Sequence, residues 1–223
     1  MQKLYAIIDR ATLDTRNVTV TEFASALRDA GVTLLQYRDK ENGPQEILRA
    51  AEQISAVFHG VDATLILNDR ADLAALVGWG VHVGQEDLSP ADARAVVLRT
   101  IPHPSQNREG WATRIVGEGI VGVSTHSDDQ VILADATDAD YIAIGPVFAT
   151  VTKENASPVV GLEGVRRGRA LTQKPIVAIG GITRGNARSV IDAGADSVAV
   201  IGGLFSANES VEKVARDFLD ILR

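Results

Sequence analysis

Two positively charged side chains and an amide alternate along one short segment of the chain, LQYRDK. In an extended strand Gln36, Arg38 and Lys40 would point to the same side, because side chains two residues apart share a face. A further cation, Lys153, follows an apolar run much later in the sequence. Arginine binds phosphate oxygens with a planar fork, and lysine acts as a movable point charge. Each cation alone is typical of a solvated surface, but three cations placed after predicted strands favour a site for a phosphorylated anion.

Two aspartates follow the next predicted strands, and their chemistry suits a divalent metal ion. Asp69 comes directly after the run TLILN, and Asp87 lies in the segment GQEDLSP. Mg²⁺ prefers oxygen ligands, commonly one or two carboxylates completed by substrate phosphates and water. The alternative is structural: Asp69 would cap a helix beginning near Ala71, and Asp87 would sit in the turn before Ser89 and Pro90. The three cations favour the metal site, since their ligand would be a polyanion.

Two pairs of glycines occur late in the chain, at the ends of successive apolar runs. Gly180 and Gly181 lie in AIGGI, and Gly202 and Gly203 lie in VIGGLF. Glycine allows a backbone N–H to approach a phosphate closely, and the start of a following helix adds a favourable dipole. Ordinary turn glycines are the alternative, but two such pairs at neighbouring strand ends predict a phosphate-binding site.

These residues depend on strands that alternate with helices along the chain. Eight short apolar runs predict strands, beginning at Leu4, Thr33, Thr64, Val81, Ile120, Tyr141, Ile176 and Ser197. Helical periodicity predicts helices between them, over Thr21–Ala30, Gln45–Val57, Pro90–Leu98, Asp128–Ala136 and Arg184–Ala193. This alternation is typical of an α/β fold with a parallel sheet. We therefore predict one (β/α)8 TIM barrel over residues 1–223, with a doubly wound open sheet as the alternative.

In such a barrel the carboxyl ends of all strands face one mouth, where active sites form. The cations, aspartates and glycine pairs all follow strands, so they are expected to surround one ligand. His126 falls on the same rim and is a candidate acid or base, whereas His82 lies within a strand and is expected to be structural. The polar stretch Ile101–Gly119 falls on the opposite face and is predicted to be a surface insertion, with a partner-binding loop around Trp111 as the alternative.

Composition excludes several classes of function. With 45% hydrophobic residues, a formal net charge of −7 and no basic stripe, the chain is predicted to be a globular protein that binds no nucleic acid. It contains no cysteine, which excludes thiolate metal sites and cysteine nucleophiles. Without an apolar run of roughly 18 residues we predict no membrane span, and the N-terminal run is too short for a signal peptide. A cytoplasmic enzyme acting on small phosphorylated molecules is expected, and homo-oligomerisation is left open.

Six segments, in the order in which they occur, resemble motifs of the thiamine phosphate synthase family: LQYRDK, LILNDRADLA, GVHVGQEDLS, GVSTHS, YIAIGPVFATVTK and PIVAIGGITRGNA…AGADSVAVI. They extend from Leu35 to Ile201 and so cover nearly the whole chain. The resemblance implies a (β/α)8 barrel, a Mg²⁺ cofactor and the joining of a hydroxymethylpyrimidine diphosphate to a hydroxyethylthiazole phosphate. Diphosphate would leave and thiamine phosphate would form.

Carried over by position, the resemblance also implies roles for individual residues. The pyrimidine diphosphate would be bound by Gln36, Tyr37, Arg38, Asp39, Lys40, Asn68, Ser124 and Lys153. Magnesium would be held by Asp69 and Asp87. The thiazole phosphate would be bound by Thr150, Val151, Thr152, Gly181, Ile201 and Gly202. Four residues would take part in catalysis, in which a pyrimidine cation forms as diphosphate departs: Arg38, Lys40, Ser124 and Lys153.

The chain departs from the family pattern at two places. Gly202 stands where the family often has serine, so a hydroxyl contact to the phosphate would be lost while backbone N–H groups remain. Gly78 and Trp79 stand where Ala-Asp is common, which concerns local packing. Two alternatives to the synthase are a thiazole tautomerase-like relative, in which His126 would supply the acid–base group, and a non-catalytic phosphate-binding barrel.

Overall fold

Parallel strands close into a barrel in the computed structural model, which describes residues 1–98, 119–150 and 158–223. Within these ranges the strands are β1 (Leu4–Asp9), β2 (Leu34–Arg38), β3 (Thr64–Asn68), β4 (Gly80–Val83), β5 (Val121–Thr125), β6 (Tyr141–Ile144), β7 (Ile176–Ile179) and β8 (Ser197–Val200). They pair in chain order, and β1 pairs with β8 to complete the ring. The predicted (β/α)8 barrel is confirmed, and the open-sheet alternative is wrong.

Helices surround the strands on the outside of the ring. In the described ranges they are α1 (Arg10–Thr15), α2 (Val20–Ala30), α3 (Pro44–Val57), α4 (Ala71–Val77), α5 (Pro90–Val97), α6 (Asp128–Asp135), α7 (Gly161–Leu171), α8 (Ala187–Asp192) and α9 (Val211–Ile221). Helix α8 begins later than the predicted Arg184. The Thr183 N–H donates to Asn186 Oδ1 at 2.8 Å, which closes a turn before the helix can start.

Local sequence signals set several helix ends as predicted. Ser89 caps α5, with its hydroxyl accepting a hydrogen bond from the Asp92 N–H, and Pro90 occupies the first turn. Gly31 and Gly194 follow α2 and α8 with φ of 90° and 112°, the left-handed conformation that suits glycine after a helix. These signals fix where α5 begins and where α2 and α8 end.

Alternate residues of each strand face the barrel interior and the surrounding helices, as the strand period of two requires. The apolar residues that fill the interior are Tyr5, Ile7, Leu34, Ile66, Tyr141, Ala143, Val177 and Ala199. Leu35 and Tyr37 of β2 belong instead to the larger core between strands and helices. Gln36 and Arg38 therefore continue the inward face of β2 that begins with Leu34.

The predicted insertion Ile101–Gly119 lies outside the described residues except for Gly119, and so does Trp111. No helix in the described ranges combines the length and the apolar character needed to cross a bilayer.

Candidate active site

The second strand brings Arg38 to the mouth of the barrel beside an aspartate from the first strand. β1 and β2 pair with Asp9 opposite Arg38, and Arg38 Nη1 lies 2.5 Å from Asp9 Oδ1. The Asp9 side chain is only 3% exposed. It also accepts hydrogen bonds from the Thr12 N–H and hydroxyl, at 3.1 and 2.7 Å. The guanidinium is thus held by a buried carboxylate.

Asp9 is a residue of this site that the sequence analysis missed. It is the last residue of β1, LYAIID, and so satisfies the same strand-end criterion that selected Arg38 and Asp69. Its carboxylate caps α1 and contacts Arg38 at the same time. Asp9 therefore fixes both the start of the first helix and the direction of the arginine.

Lys40 and Asp69 form a second ion pair, between the segments that follow β2 and β3. The Lys40 side chain is 51% exposed, whereas Asp69 is partly buried. Asp69 has a φ of 62°, in the left-handed region that residues other than glycine rarely adopt. Its N–H donates to the His82 carbonyl at 2.7 Å, which holds this conformation in place. Asp69 is thus fixed, while Lys40 has room to move to another anion.

Asp87 lies close enough to Asp69 for its carboxyl group to act on the charge of the Asp69 carboxyl group. Burial raises the pKa of Asp69, the Lys40 ammonium opposes that rise, and the neighbouring Asp87 adds to it. Asp87 Oδ2 also accepts a hydrogen bond from the Gly84 N–H at 2.7 Å, so it closes the predicted turn. The proposed capping role of Asp69 is wrong, because Arg70 occupies the N-cap of α4 and no side chain caps that helix.

This pair of acids has the properties expected of a divalent cation site. Two neighbouring carboxylates, one with a raised pKa, would both be stabilised as anions by a nearby positive charge. Among the described residues, no group of three or more His, Cys, Asp or Glu side chains could hold a metal ion. Mg²⁺ takes one or two carboxylates and completes its shell with water and phosphate oxygens, so these two acids are residues that could hold such an ion.

Asn68, at the end of β3, has a side-chain nitrogen without a partner. Its Nδ2 is buried and makes no hydrogen bond within the described residues. An unpaired buried donor costs about 1–3 kcal/mol, and native structures rarely leave one. Asn68 shares the inward face of β3 with Ile66 and is the last residue of that strand, so this donor lies on the interior face near the mouth.

Ser124 lies on the inward face of β5 and contacts the histidine of the neighbouring strand. Ser124 Oγ is 2.8 Å from His82 Nε2, and Gln85 Nε2 donates to the Ser124 carbonyl at 2.6 Å. His82 Nδ1 in turn lies 2.9 Å from the Tyr141 hydroxyl. Burial lowers the pKa of His82 to about 4, so its imidazole is neutral. His82 was expected to be only structural, but it also contacts Ser124, a candidate site residue.

A cavity of about 540 Å³ lies where β7 and β8 end, lined by Thr183, Arg184, Gly185, Gly202, Gly203, Phe205 and Ser206. A Cβ atom at Gly203 would lie 2.4 Å from the Ile182 carbonyl oxygen, so only glycine fits there. Gly181 has a φ of 64°, which also favours glycine. Gly202 lines the cavity, Gly181 lies at the end of β7, and Ile201 directly follows β8. Arg184, which the sequence analysis did not select, lines the cavity but is paired with Glu209 and Asp217.

Other candidates occupy different surroundings. Tyr37 faces the helices, and its hydroxyl donates to Asp39 Oδ2 at 2.9 Å. Asp39 Oδ1 accepts hydrogen bonds from the N–H groups of Glu41 and Asn42, at 3.1 and 3.0 Å. The side chains of Tyr37 and Asp39 thus brace the turn that carries Lys40.

His126 is held away from these ion pairs. Its Nδ1 lies 2.6 Å from the Gly145 carbonyl oxygen, and it lines a separate cavity of about 400 Å³ with Asp128 and Arg167, beside α6 and α7. Thr150 is the last described residue before a gap. The predicted ligand contacts of Val151, Thr152 and Lys153 lie outside the described residues.

Comparison with known proteins points to one family. A family model described as thiamine monophosphate synthase matches residues 4–101 and 109–204. The chain is 48% identical to a protein named thiamine-phosphate synthase from Koribacter versatilis, over 100% of this chain and 96% of that protein. It is 38% identical to a protein of the same name from Methanoregula boonei, over 96% of this chain and 90% of that protein.

Solved structures show the same similarity. Thiamine phosphate pyrophosphorylase from Pyrococcus furiosus superposes with a TM-score of 0.80 at 29% identity, over 99% of this chain and 95% of that one. Thiamine phosphate pyrophosphorylase from Bacteroides thetaiotaomicron superposes with a TM-score of 0.63 at 18% identity, over 98% and 96% of the two chains. At 18% identity the likeness shows the fold alone.

Proposed function

The chain belongs to the thiamine monophosphate synthase family, a family of transferases, and we propose that it joins 4-amino-2-methyl-5-hydroxymethylpyrimidine diphosphate to hydroxyethylthiazole phosphate. The products would be thiamine phosphate and diphosphate. One observation carries the proposal: cations and carboxylates from successive strand ends meet in pairs at one mouth. Diphosphate is a ligand that calls for both cationic side chains and a metal held by acids.

Stabilising the leaving group would be the main task of the protein. The bond between the pyrimidine methylene carbon and the diphosphate oxygen breaks, and both electrons stay on that oxygen. Arg38 and Lys40 would stabilise the developing charge, each exchanging its carboxylate partner for phosphate oxygens, with Lys153 as a third cation. Electrostatic stabilisation by a single well-placed donor is worth about 3–4 kcal/mol of activation free energy.

The new bond would form without a protein nucleophile. The amino group of the pyrimidine stabilises the methylene cation, and the thiazole nitrogen then donates its lone pair to that carbon. The protein must hold the two reacting atoms roughly 3–3.5 Å apart. The cavity at the ends of β7 and β8 would hold the thiazole phosphate near Gly181, Ile201 and Gly202, with Thr150, Val151 and Thr152 as further contacts.

Asp69 and Asp87 would hold Mg²⁺, which when bound supplies positive charge against the diphosphate oxygens. The proximity of the two acids and the raised pKa of Asp69 support this assignment. Lys40 is suited to leave Asp69 for a phosphate oxygen, because half of its side chain is exposed. Asn68 would donate from its unpaired Nδ2, and Ser124 would contact the pyrimidine ring.

Incubation of the protein with both phosphorylated substrates and Mg²⁺ tests the proposal. We expect thiamine phosphate and diphosphate to form in equal amounts, as measured by chromatography, and formation to stop when Mg²⁺ is chelated. If no thiamine phosphate forms at saturating substrates and Mg²⁺, the proposal is wrong.

The same experiment separates the alternatives. Isomerisation of a thiazole phosphate without the pyrimidine would indicate the tautomerase-like relative, and binding of one ligand without turnover would indicate a non-catalytic barrel. The position of His126 gives the first alternative no support, because its Nδ1 is bound to the Gly145 carbonyl and its cavity is a separate one.

A further inference from the structure

A chain of hydrogen bonds crosses the barrel interior below the candidate active site. Gln36 Nε2 donates to the Tyr5 hydroxyl at 2.8 Å, and the Tyr5 and Tyr141 hydroxyl oxygens lie 3.0 Å apart. Tyr141 then contacts His82 Nδ1 at 2.9 Å, and His82 Nε2 contacts Ser124 Oγ at 2.8 Å. The first four of these side chains are buried, so water does not compete for their hydrogen bonds. We call these five side chains the interior chain.

Only one direction of donation along the interior chain pairs every buried hydroxyl hydrogen. Gln36 Nε2 donates to the Tyr5 oxygen, and among the described residues only the Tyr141 oxygen can accept the single Tyr5 hydroxyl hydrogen. The Tyr141 hydroxyl hydrogen must then go to His82 Nδ1. A neutral imidazole that accepts at Nδ1 carries its hydrogen on Nε2, and this hydrogen is donated to Ser124 Oγ.

Ser124 receives the last of these hydrogen bonds, which fixes what its hydroxyl can do. Its oxygen already accepts from His82, and no described residue accepts the hydroxyl hydrogen. Ser124 is partly exposed at the end of β5, so this hydrogen is available to a ligand. The nearby Asn68, opposite His82 in the strand register, offers a second unpaired donor.

We propose that Tyr5, Tyr141 and His82 are positioning residues that hold the Ser124 hydroxyl as a hydrogen-bond donor, so that the site selects a ligand with a ring nitrogen lone pair there. The inference rests on the proposed function, since an aminopyrimidine carries two such nitrogens. If the interior chain ran in the opposite direction, Ser124 would donate to His82 and could only accept from the ligand. The two directions therefore predict opposite ligand preferences.

Nuclear magnetic resonance on protein labelled with ¹⁵N at its four histidines tests the direction without any substrate. The His82 signals are assigned by their loss in His82→Asn. We expect the wild-type protein to show Nε2 protonated and Nδ1 as an acceptor. Tyr141→Phe removes the hydrogen donated to Nδ1 and should shift these signals, whereas Tyr37→Phe removes a hydroxyl on the outer face and should not. Protonation of Nδ1 in the wild type would overturn the proposal.

Ligand preference tests the consequence for Ser124. Calorimetry compares the aminopyrimidine diphosphate with analogues in which each ring nitrogen in turn is replaced by C–H. We expect the wild type to bind the aminopyrimidine diphosphate about tenfold more tightly than the analogue that lacks one of the two ring nitrogens, as one hydrogen bond provides. Ser124→Ala and Tyr141→Phe should each lose most of that preference. Combining the two substitutions should cause no further loss of preference.

In turnover assays of Tyr141→Phe, the KM for the pyrimidine substrate should rise more than kcat falls, because an oriented donor acts on binding. Full retention of the wild-type preference by Tyr141→Phe would overturn the proposal, and Tyr5→Phe provides a second variant if Tyr141→Phe does not fold. Failure of the wild type to bind the aminopyrimidine would refute the proposed function instead, while the histidine signals would still decide the direction of the interior chain.

Discussion

Asp69 combines a strained backbone with a carboxylate that lies close to a second acid. Its φ of 62° places it in a region that costs about 1–3 kcal/mol for most residues, although Asp and Asn tolerate it best. The hydrogen bond from its N–H to the His82 carbonyl holds it there. The strain directs the carboxylate towards Asp87 and Lys40 instead of leaving it to cap α4. Such local strain is typical of functional positions.

Asp69→Asn isolates the charge of this residue, because asparagine keeps the shape and tolerates the left-handed backbone. We expect kcat to fall by about 100-fold or more, since the proposed metal loses one of its two carboxylates. Turnover measured over a Mg²⁺ titration checks this. Asp72→Asn, which removes an exposed acid on α4 paired with Arg70, should stay within about twofold of wild type. If Asp69→Asn turned over at the wild-type rate at low Mg²⁺, Asp69 would not be a ligand of the metal.

Asp9 supports the site through two separate contacts, which two substitutions distinguish. Asp9→Asn keeps an acceptor for Thr12 but removes the charge that faces Arg38, so the free energy of unfolding should fall by about 2 kcal/mol. Asp9→Ala also removes the cap of α1 and should lose about 1 kcal/mol more. Urea denaturation measures both values. Equal stability of the two variants would show that the cap contributes nothing.

The sequence predicted which polar side chains lie at the mouth better than which of them pair with each other. Arg38, Asp69 and Asp87 could be found because parallel strands present their carboxyl ends at one mouth. The pairing of Lys40 with Asp69 could not, since it depends on the relative position of two loops. Asp9 was available to the same criterion and was overlooked.

At the scale of elements, β5 packs beside β6 because Gly122 of β5 has no side chain where the Tyr141 ring of β6 lies. Gly122 lies opposite Tyr141 in the strand register. A Cβ atom on Gly122 would lie 2.0 Å from Cζ of the Tyr141 ring and 2.3 Å from its hydroxyl oxygen. The glycine therefore leaves the space in which Tyr141 reaches His82.

Gly122→Ala should force Tyr141 out of position and lower the free energy of unfolding by about 3 kcal/mol, the upper range for overpacking a barrel interior. Chemical denaturation provides the measurement. Gly43→Ala is the matched control, because Gly43 lies at the start of α3 with an ordinary φ of −75° and should change stability by about 0.5 kcal/mol. If both variants were equally stable, the interior would be looser than the structure indicates.

Element type followed from local pattern, whereas contacts between elements did not. Short apolar runs and their alternation with helices were enough to predict every strand of the barrel. The start of α8 was missed because it depends on the Asn186 side chain closing a turn. The interior chain joins residues of five strands, so no local pattern could reveal it.

At the scale of the whole molecule, the sum of the charges at the mouth matters as well as the individual ion pairs. The formal net charge is −7. Among the described residues of the mouth, Asp9, Asp69 and Asp87 face two cations, Arg38 and Lys40. The described part of the rim is thus slightly negative, although its ligand is proposed to be an anion.

Because each of these two cations is already engaged by a carboxylate, the described part of the mouth should exert little long-range attraction on a free polyanion. Diffusional encounter with the metal-free diphosphate ester should be hindered by repulsion, so its association rate constant in stopped-flow experiments should rise as NaCl shortens the Debye length from about 30 Å at 0.01 M to about 8 Å at 0.15 M. A rate that falls with salt would reveal net attraction. If repulsion is found, the diphosphate ester should associate fastest when a bound cation already neutralises part of its charge.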